Sequence, residues 1–367
     1  MTLTAITMPK WGLTMTEGKV VGWSRQQGAA IALGDALLEI ETSKITNVME
    51  AESPGTLLRI VAKEGATLPV GALLAVTGPA AAPEAEIDTF VAGFVVEEPD
   101  DSEDDGAAPP SPRDIDVAGT KLRYLELGSG DATPVLLLHG FGSDLNSWLF
   151  TQPALAEGRR VVALDLPGHG GSSRDVGAGD IDTFTNAVEG FVTAVGLGPV
   201  HMVGHSMGGA IAASLGRRRP DLVASLTLIA PVGLGAEINA AFIDGFVAAS
   251  RRKDATDVLR LLVHDPALVS RSMIEDVLRF KRLDGVAAAL GTIAKAWFPE
   301  GRQTFAMGAV PVPILAIWGR EDQIVPVAHA AAAPPGSEIH ILEAAGHLPH
   351  MEKSADVNRL IRRFIGD

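Results

Sequence analysis

The sequence predicts two folded domains of different class: a small all-β sandwich first, then a mostly parallel α/β sheet carrying a helical cap. Three observations carry this reading. A spacing of glycines and apolar residues occurs twice within the first 78 residues, short apolar runs alternate with helical stretches from residue 114 onward, and an acidic, Pro/Ala-rich stretch separates the two patterns. A chain of 367 residues, 47% hydrophobic and 20% charged, has the length for two or three domains, each with its own core.

In the first domain, residues 1–78, Gly28, Ile31, Gly34 and Leu37 are spaced in threes, and Gly65, Leu68, Gly71 and Leu74 repeat that spacing 37 residues later. Apolar runs at 37–40, 56–61 and 73–76, broken by Gly and Pro, read as short strands, so the two halves make a sandwich with pseudo-twofold symmetry. Glu41-Thr42-Ser43-Lys44 falls between a strand ending near Ile40 and the next apolar-polar stretch at 45–49. That places Lys44 at a hairpin tip, where a modifying enzyme can reach it.

Residues 79–113 read as a linker. They hold Pro79, Pro83, Pro99, Pro109, Pro110 and Pro112, and ten acidic residues against Arg113 alone, which accounts for most of the formal charge of -15. One apolar interruption, residues 90–96, is expected to be a short helix. As a flexible chain this tether spans roughly 30 to 35 Å, which supplies an effective concentration on the order of millimolar.

The second domain, residues 114–367, places a glycine loop after each strand. Residues 135–138 lead into His139-Gly140-Phe141-Gly142, and residues 161–164 into Asp165 and the turn ending at Gly170. Residues 200–203 run into Gly204-His205-Ser206-Met207-Gly208, with a helix expected over 209–215. A serine at a sharp strand-to-helix turn needs neighbours without side chains at Gly204 and Gly208, and it then projects into open space as a nucleophile. An acid and a histidine follow in order. The strand at 313–318 leads into Arg320-Glu321-Asp322, and the strand at 339–342 leads towards Gly346-His347-Leu348-Pro349-His350. Glu321 or Asp322 is then the acid, and His347 or His350 the base. The backbone N–H groups of Phe141 and Met207 are the candidate oxyanion donors. His139, His169 and His205 sit in glycine turns and read as structural.

Between about 232 and 309 the sheet pattern gives way to helices, expected over 240–249, 258–263 and 273–280, which read as a cap. Arg251-Arg252-Lys253 in this cap reads as a solvated face or, alternatively, as a seat for phosphates.

Composition excludes several classes. No basic stripe interleaved with aromatics argues for nucleic acid, and the acidic surface repels polyanions. With no cysteine, any thiol chemistry must come from a cofactor or substrate. No apolar stretch approaches the roughly 18 residues of a membrane span, and residues 1–9 show no basic region ahead of an apolar run, so a cytoplasmic location is expected. No His/Asp/Glu group has metal-ligand spacing.

Residues 3–78 resemble a lipoyl domain in Met8-Pro9-Lys10-Trp11-Gly12, Gly34-Asp35 and Glu41-Thr42-Ser43-Lys44. A biotin carrier shares the fold but usually flanks its lysine with methionines, where this chain has Ser43 and Ile45; the resemblance therefore implies lipoate on Lys44, placed there by a lipoate-attaching enzyme. Residues 114–367 resemble an α/β-hydrolase, and the family's positions select Asp322 as acid and His347 as base for Ser206. The pairing resembles the dihydrolipoamide acetyltransferase component of acetoin dehydrogenase complexes. It implies acyl transfer in acetoin catabolism: a thiamine-diphosphate-dependent component loads acetyl onto the arm, coenzyme A receives it, and a flavin dihydrolipoamide dehydrogenase reoxidises the dithiol. The H-x-x-x-D-G signature of the usual transferase is missing, because Phe280 occupies the histidine position ahead of Asp284-Gly285, and no peripheral subunit-binding segment is found. Two alternatives stay open: a serine esterase or thioesterase recruited by its lipoyl domain, and a lipoyl carrier whose hydrolase-like domain only scaffolds partners.

Overall fold

A computed structural model describes residues 3–9, 15, 17–42, 46–51, 53–94 and 110–366. They divide into two compact units. The first contains β1 (Thr4–Thr7), β2 (Glu17–Trp23), β3 (Ala30–Ile31), β4 (Ala36–Glu41), β5 (Thr46–Glu50), β6 (Gly55–Ile60), β7 (Thr67–Pro69) and β8 (Leu73–Gly78). They form two antiparallel sheets, ordered β1-β8-β6-β3 and β5-β4-β2-β7, around Met8, Val20, Ile31, Leu37, Ile40 and Leu74. The repeat has a backbone cause. Gly28 and Gly65 hold φ of +89° and +82°, a region closed to most side chains, and each donates its N–H at 2.7 Å, to the carbonyls of Leu57 and Val20 respectively. One turn is thus built twice.

Antiparallel pairing of β4 with β5 ends at Glu41 opposite Thr46. Lys44 itself lies outside the described residues. After β8 comes helix α1 (Glu84–Gly93), where the sequence suggested tether up to an apolar run at 90–96. Its first-turn acids Glu84 and Glu86 suit the positive end of the helix, Ile87 is buried, and Arg59 of β6 pairs with Asp88 at 2.9 Å and Glu84 at 3.5 Å. These contacts explain why helix replaces linker there; the rest of the acidic run, residues 95–109, lies outside the described residues.

The second unit opens with β9 (Arg113–Val117), β10 (Thr120–Leu127) and β11 (Ala132–Leu138), followed by α2 (Gln152–Leu155), β12 (Arg159–Leu164), α3 (Ile181–Ala194), β13 (Val200–His205), α4 (Met207–Arg218) and β14 (Val223–Ile229). Helices α5 (Ala240–Ala248), α6 (Arg252–Arg260), α7 (Arg271–Lys281) and α8 (Val286–Trp297) intervene before β15 (Ile314–Gly319), β16 (Glu338–Leu342), α9 (Pro349–Glu352) and α10 (Ser354–Ile365). The sheet order is β16-β15-β14-β13-β11-β12-β10-β9, parallel except where β10 pairs with β12 and β9. Val135 to Leu138 and Val161 to Leu164 are fully buried, as strands covered on both faces must be.

Several elements differ from expectation. The β9–β10 hairpin and β14 were not anticipated, and α6 begins at Arg252 rather than 258. Its amphipathic face, Ala255, Val258 and Leu259, starts before the apolar run, while Leu261 and Leu262 leave the helix through i→i+3 bonds to Val258 and Leu259. The register aligns Leu138 with Leu164 and Gly204, Gly204 with Leu228, and Ile229 with Ile317. The loops after β11, β12, β13, β14 and β15 therefore leave from one edge of the sheet, the crevice where open α/β sheets bind ligands.

Candidate active site

Ser206 joins β13 to α4 with φ 53° and ψ -115°, a strained conformation for a residue with a side chain, and its N–H is tied to the carbonyl of Ile229 at 2.9 Å. The strain persists because the surroundings leave no alternative. A Cβ on Gly204 would stand 2.4 Å from the Gly208 carbonyl oxygen, and one on Gly208 would stand 2.3 Å from that of Leu138. Both obstacles are backbone, so neither can move aside.

Asp322 and His347 come together from the loops after β15 and β16. His347 Nδ1 and Asp322 Oδ2 are 2.8 Å apart, with both side chains essentially excluded from solvent. The other carboxylate oxygen accepts the N–H groups of Ile324 at 2.8 Å and Val325 at 3.0 Å. Fixed in this way, the carboxylate holds the proton on Nδ1 and leaves Nε2 as the basic nitrogen. The turn of Ser206 is tied to the histidine loop through its neighbour, since His205 Nε2 donates to the His347 carbonyl at 2.8 Å.

The rival residues are occupied elsewhere. Glu321 accepts the N–H of Ala345 at 3.1 Å, so it braces the histidine loop rather than the ring. His350 is fully buried against Trp148 and His205, at 4.7 Å between ring centroids in both cases, and neither of its nitrogens has a partner among the described residues. Burial holds its pKa down at about 3. It is a neutral packing group.

The loop after β11 lies directly on the serine: a Cβ on Gly140 would stand 3.1 Å from Ser206 Cβ and 2.9 Å from His205 Nδ1. Two buried histidines shape that loop. His139 Nδ1 donates to the Gly140 carbonyl at 2.8 Å while Nε2 accepts the N–H of Leu166 at 3.0 Å. His169 Nδ1 donates to Pro167 at 2.9 Å while Nε2 accepts the N–H of Gly142 at 3.0 Å. Each bond pattern requires a neutral ring, and burial lowers their pKa values to about 4 and about 3. Between the anchored residues, the N–H of Phe141 donates to no protein acceptor among the described residues. Met207 is the first residue of α4, where N–H groups lack an intrahelical acceptor. Among the described residues, both N–H groups, one in the loop that lies on the serine and one directly after it, are thus without a protein acceptor.

The cap reaches both loops. Phe141 makes edge contacts with Phe246 of α5 and with Phe298, at 5.9 and 6.1 Å, and Phe246 fills the space a Cβ on Gly142 would need. Sequence reasoning missed Glu352, whose carboxylate accepts the N–H of Gly346 at 2.8 Å and that of His264 at 2.7 Å. Only its place six residues after Gly346 hinted at it. Arg251, Arg252 and Lys253 are exposed at the start of α6, with Arg252 3.7 Å from Glu275. Among the described residues no group of His, Asp and Glu is arranged to hold a metal, and no helix is long and apolar enough to cross a membrane.

Comparison with known proteins agrees with both units. Residues 4–77 match the family model described as biotin-requiring enzyme, and residues 133–354 match that of the alpha/beta hydrolase fold. The chain is similar to the dihydrolipoyllysine-residue acetyltransferase component of the acetoin cleaving system of Pseudomonas putida, 45% identical over 98% of this chain and 98% of that one. It is 44% identical to the protein of the same name from Cupriavidus necator, over 100% of this chain and 98% of the relative. Among solved structures, a meta-cleavage product hydrolase from Pseudomonas fluorescens superposes with a TM-score of 0.62 at 24% identity, covering 69% of this chain and 96% of the hydrolase, a likeness of fold.

Proposed function

The chain belongs to the family of dihydrolipoyllysine-residue acetyltransferase components of acetoin-cleaving systems, and from that premise we propose that it passes acetyl from its own carrier arm to coenzyme A through Ser206, His347 and Asp322. The observation that carries the reading is the buried 2.8 Å contact between His347 and Asp322, on the same sheet edge as the strained Ser206. In this reading residues 1–78 act as carrier with α1 held against it, the remainder of 79–113 as tether and 114–367 as catalyst.

Lipoate would be held by the amine of Lys44 through an amide and would supply the thiol chemistry that brings acetyl to the site. The β4–β5 pairing at Glu41 and Thr46, on either side of Lys44, suits such an attachment. Ser206 Oγ attacks the thioester carbonyl as its proton passes to His347 Nε2, and the oxyanion is held by the N–H groups of Phe141 and Met207. His347 Nε2 returns the proton to the leaving sulfur as the C–S bond breaks and Ser206 keeps the acetyl. The thiol of coenzyme A then gives its proton to His347, attacks the acetyl-serine and releases Ser206, whose oxygen recovers the proton. Asp322 stays ionised and stabilises the imidazolium in both halves.

Partners follow from the same chemistry: a thiamine-diphosphate-dependent component that loads acetyl, a flavin dihydrolipoamide dehydrogenase that reoxidises the arm, and a lipoate-attaching enzyme. The test is product analysis with acetyl-dihydrolipoamide, with and without coenzyme A. Acetyl-coenzyme A from the native chain and its loss in Ser206→Ala is the expected result. Free acetate insensitive to coenzyme A would make the chain a hydrolase, and unchanged turnover of the assembled system in Ser206→Ala would make the second domain a scaffold.

A further inference from the structure

One cap hairpin touches both catalytic loops. Helices α5 and α6 pack closely, since a Cβ on Gly245 would stand 2.7 Å from Val258 Cγ1. At one end Phe246 presses on Phe141 and Gly142. At the other end the turn after α6 is joined to the histidine loop. His347 donates its N–H to the Leu262 carbonyl at 2.8 Å, and a Cβ on Gly346 would meet Leu262 and His264 backbone at 2.8 Å. Glu352, from α9, closes this joint: one carboxylate oxygen takes the N–H of Gly346 and the other takes that of His264.

We infer that Glu352 is a positioning residue that fastens the edge of the cap to the loop of His347 and so decides whether acetyl leaves Ser206 to a thiol or to water. A carboxylate suits the position because each oxygen accepts one N–H. A glutamine offers one accepting oxygen and one donating NH2, so it must face one of the two N–H groups with a donor. The Leu262–His347 backbone bond survives that change, so the joint loosens without the domain coming apart. His347 serves equally as base for a thiol or a water, and the choice rests on which acceptor the closed cap admits. This rests on the acyl-transfer reading above.

The full-length chain, acetylated at Ser206 with p-nitrophenyl acetate so that no carrier chemistry is needed, is compared as wild type, Glu352→Gln, Glu352→Ala and Glu352→Asp. The split between acetyl-coenzyme A and acetate is measured, together with amide hydrogen exchange at His264 and Gly346. Glu352→Gln is expected to raise the acetate share about tenfold and to speed exchange at both amides, Glu352→Ala to do so further, and Glu352→Asp to fall between wild type and Gln. An unchanged product split in the Gln and Ala variants, while wild type makes acetyl-coenzyme A, overturns the inference and leaves the transfer reading intact. If wild type yields acetate alone, the transfer reading fails, and the inference fails with it.

Discussion

The ring of His205 carries the backbone of His347: its Nε2–H donates to the His347 carbonyl at 2.8 Å across 142 residues of sequence, and the two rings stand 4.7 Å apart. The residue before Ser206 thus holds in place the loop of the proposed base. His205→Leu leaves that buried carbonyl without its donor, which costs about 1 to 3 kcal/mol. Chemical denaturation should show a loss of that size, and turnover at saturating substrate should fall at least about tenfold. Unchanged turnover would mean that the histidine loop is held by its other contacts alone.

Asp322→Asn separates orientation from charge. The amide oxygen can still accept from Ile324 and Val325, but its NH2 then faces His347 Nδ1 and imposes the wrong tautomer. The fold should survive while kcat falls on the order of 10³- to 10⁴-fold. Glu321→Gln, which keeps an oxygen for Ala345, should stay within about threefold of wild type. Equal losses in the two variants would contradict the separate tasks that the 2.8 Å and 3.1 Å contacts give them.

What the sequence made legible was whatever is local in the chain. Ser206 stands out because strand, glycine turn and helix are contiguous around it, and the 37-residue repeat stands out because one positive-φ turn serves twice. Choosing Asp322 over Glu321 is different: spacing leaves the two adjacent acids open, the family resemblance selects Asp322, and the fold sets Asp322 Oδ2 2.8 Å from His347 Nδ1 while Glu321 accepts the N–H of Ala345. Glu352 and His205 reach partners 88 and 142 residues away, which no local pattern exposes, and only the second partner of Glu352, Gly346, stands close to it in sequence. Helix α6 was displaced for a related reason. Its start is set by three buried positions among charged ones, a weaker signal than the apolar run that closes it.

Acid should weaken the hydrolase domain steeply. His139, His169 and His350 are buried neutral, with pKa values lowered from 6.5 to about 4, about 3 and about 3 by desolvation, and His205 is lowered by the same cause. Because the folded values lie below the unfolded one, their stability is complete above pH 6.5 and is lost as pH falls towards 4 and 3. Asp165, raised by burial from 3.8 to about 7, works the other way: its share is present below 3.8 and lost as pH rises through 7. A tenfold change in proton affinity corresponds to about 1.4 kcal/mol, so four histidines outweigh one aspartate. Scanning calorimetry should show Tm falling from pH 7 to pH 4.5. In His350→Phe, which removes two unpartnered nitrogens beside Trp148, that slope should be shallower; an unchanged slope would mean that His350 already titrates in the folded state.

Glycine substitutions distinguish a turn that needs only its φ from one that needs the space. Gly196 has φ +64° and nothing within 4 Å of an added Cβ, so Gly196→Ala meets only the left-handed penalty of about 1 to 2 kcal/mol. At Gly208 the added carbon meets the Leu138 carbonyl oxygen at 2.3 Å and the His139 carbonyl oxygen at 2.6 Å, both in the strand and loop beneath the serine. Gly208→Ala must push α4 away from β11, which separates the N–H of Met207 from that of Phe141 and shifts Ser206 with them. Thermal unfolding should register a loss greater than about 3 kcal/mol, with serine reactivity towards p-nitrophenyl acetate abolished in whatever fraction folds. A Gly208→Ala variant that matched Gly196→Ala in stability and kept its reactivity would show that the elbow has slack and that the packing at Leu138 does not set the geometry of the nucleophile.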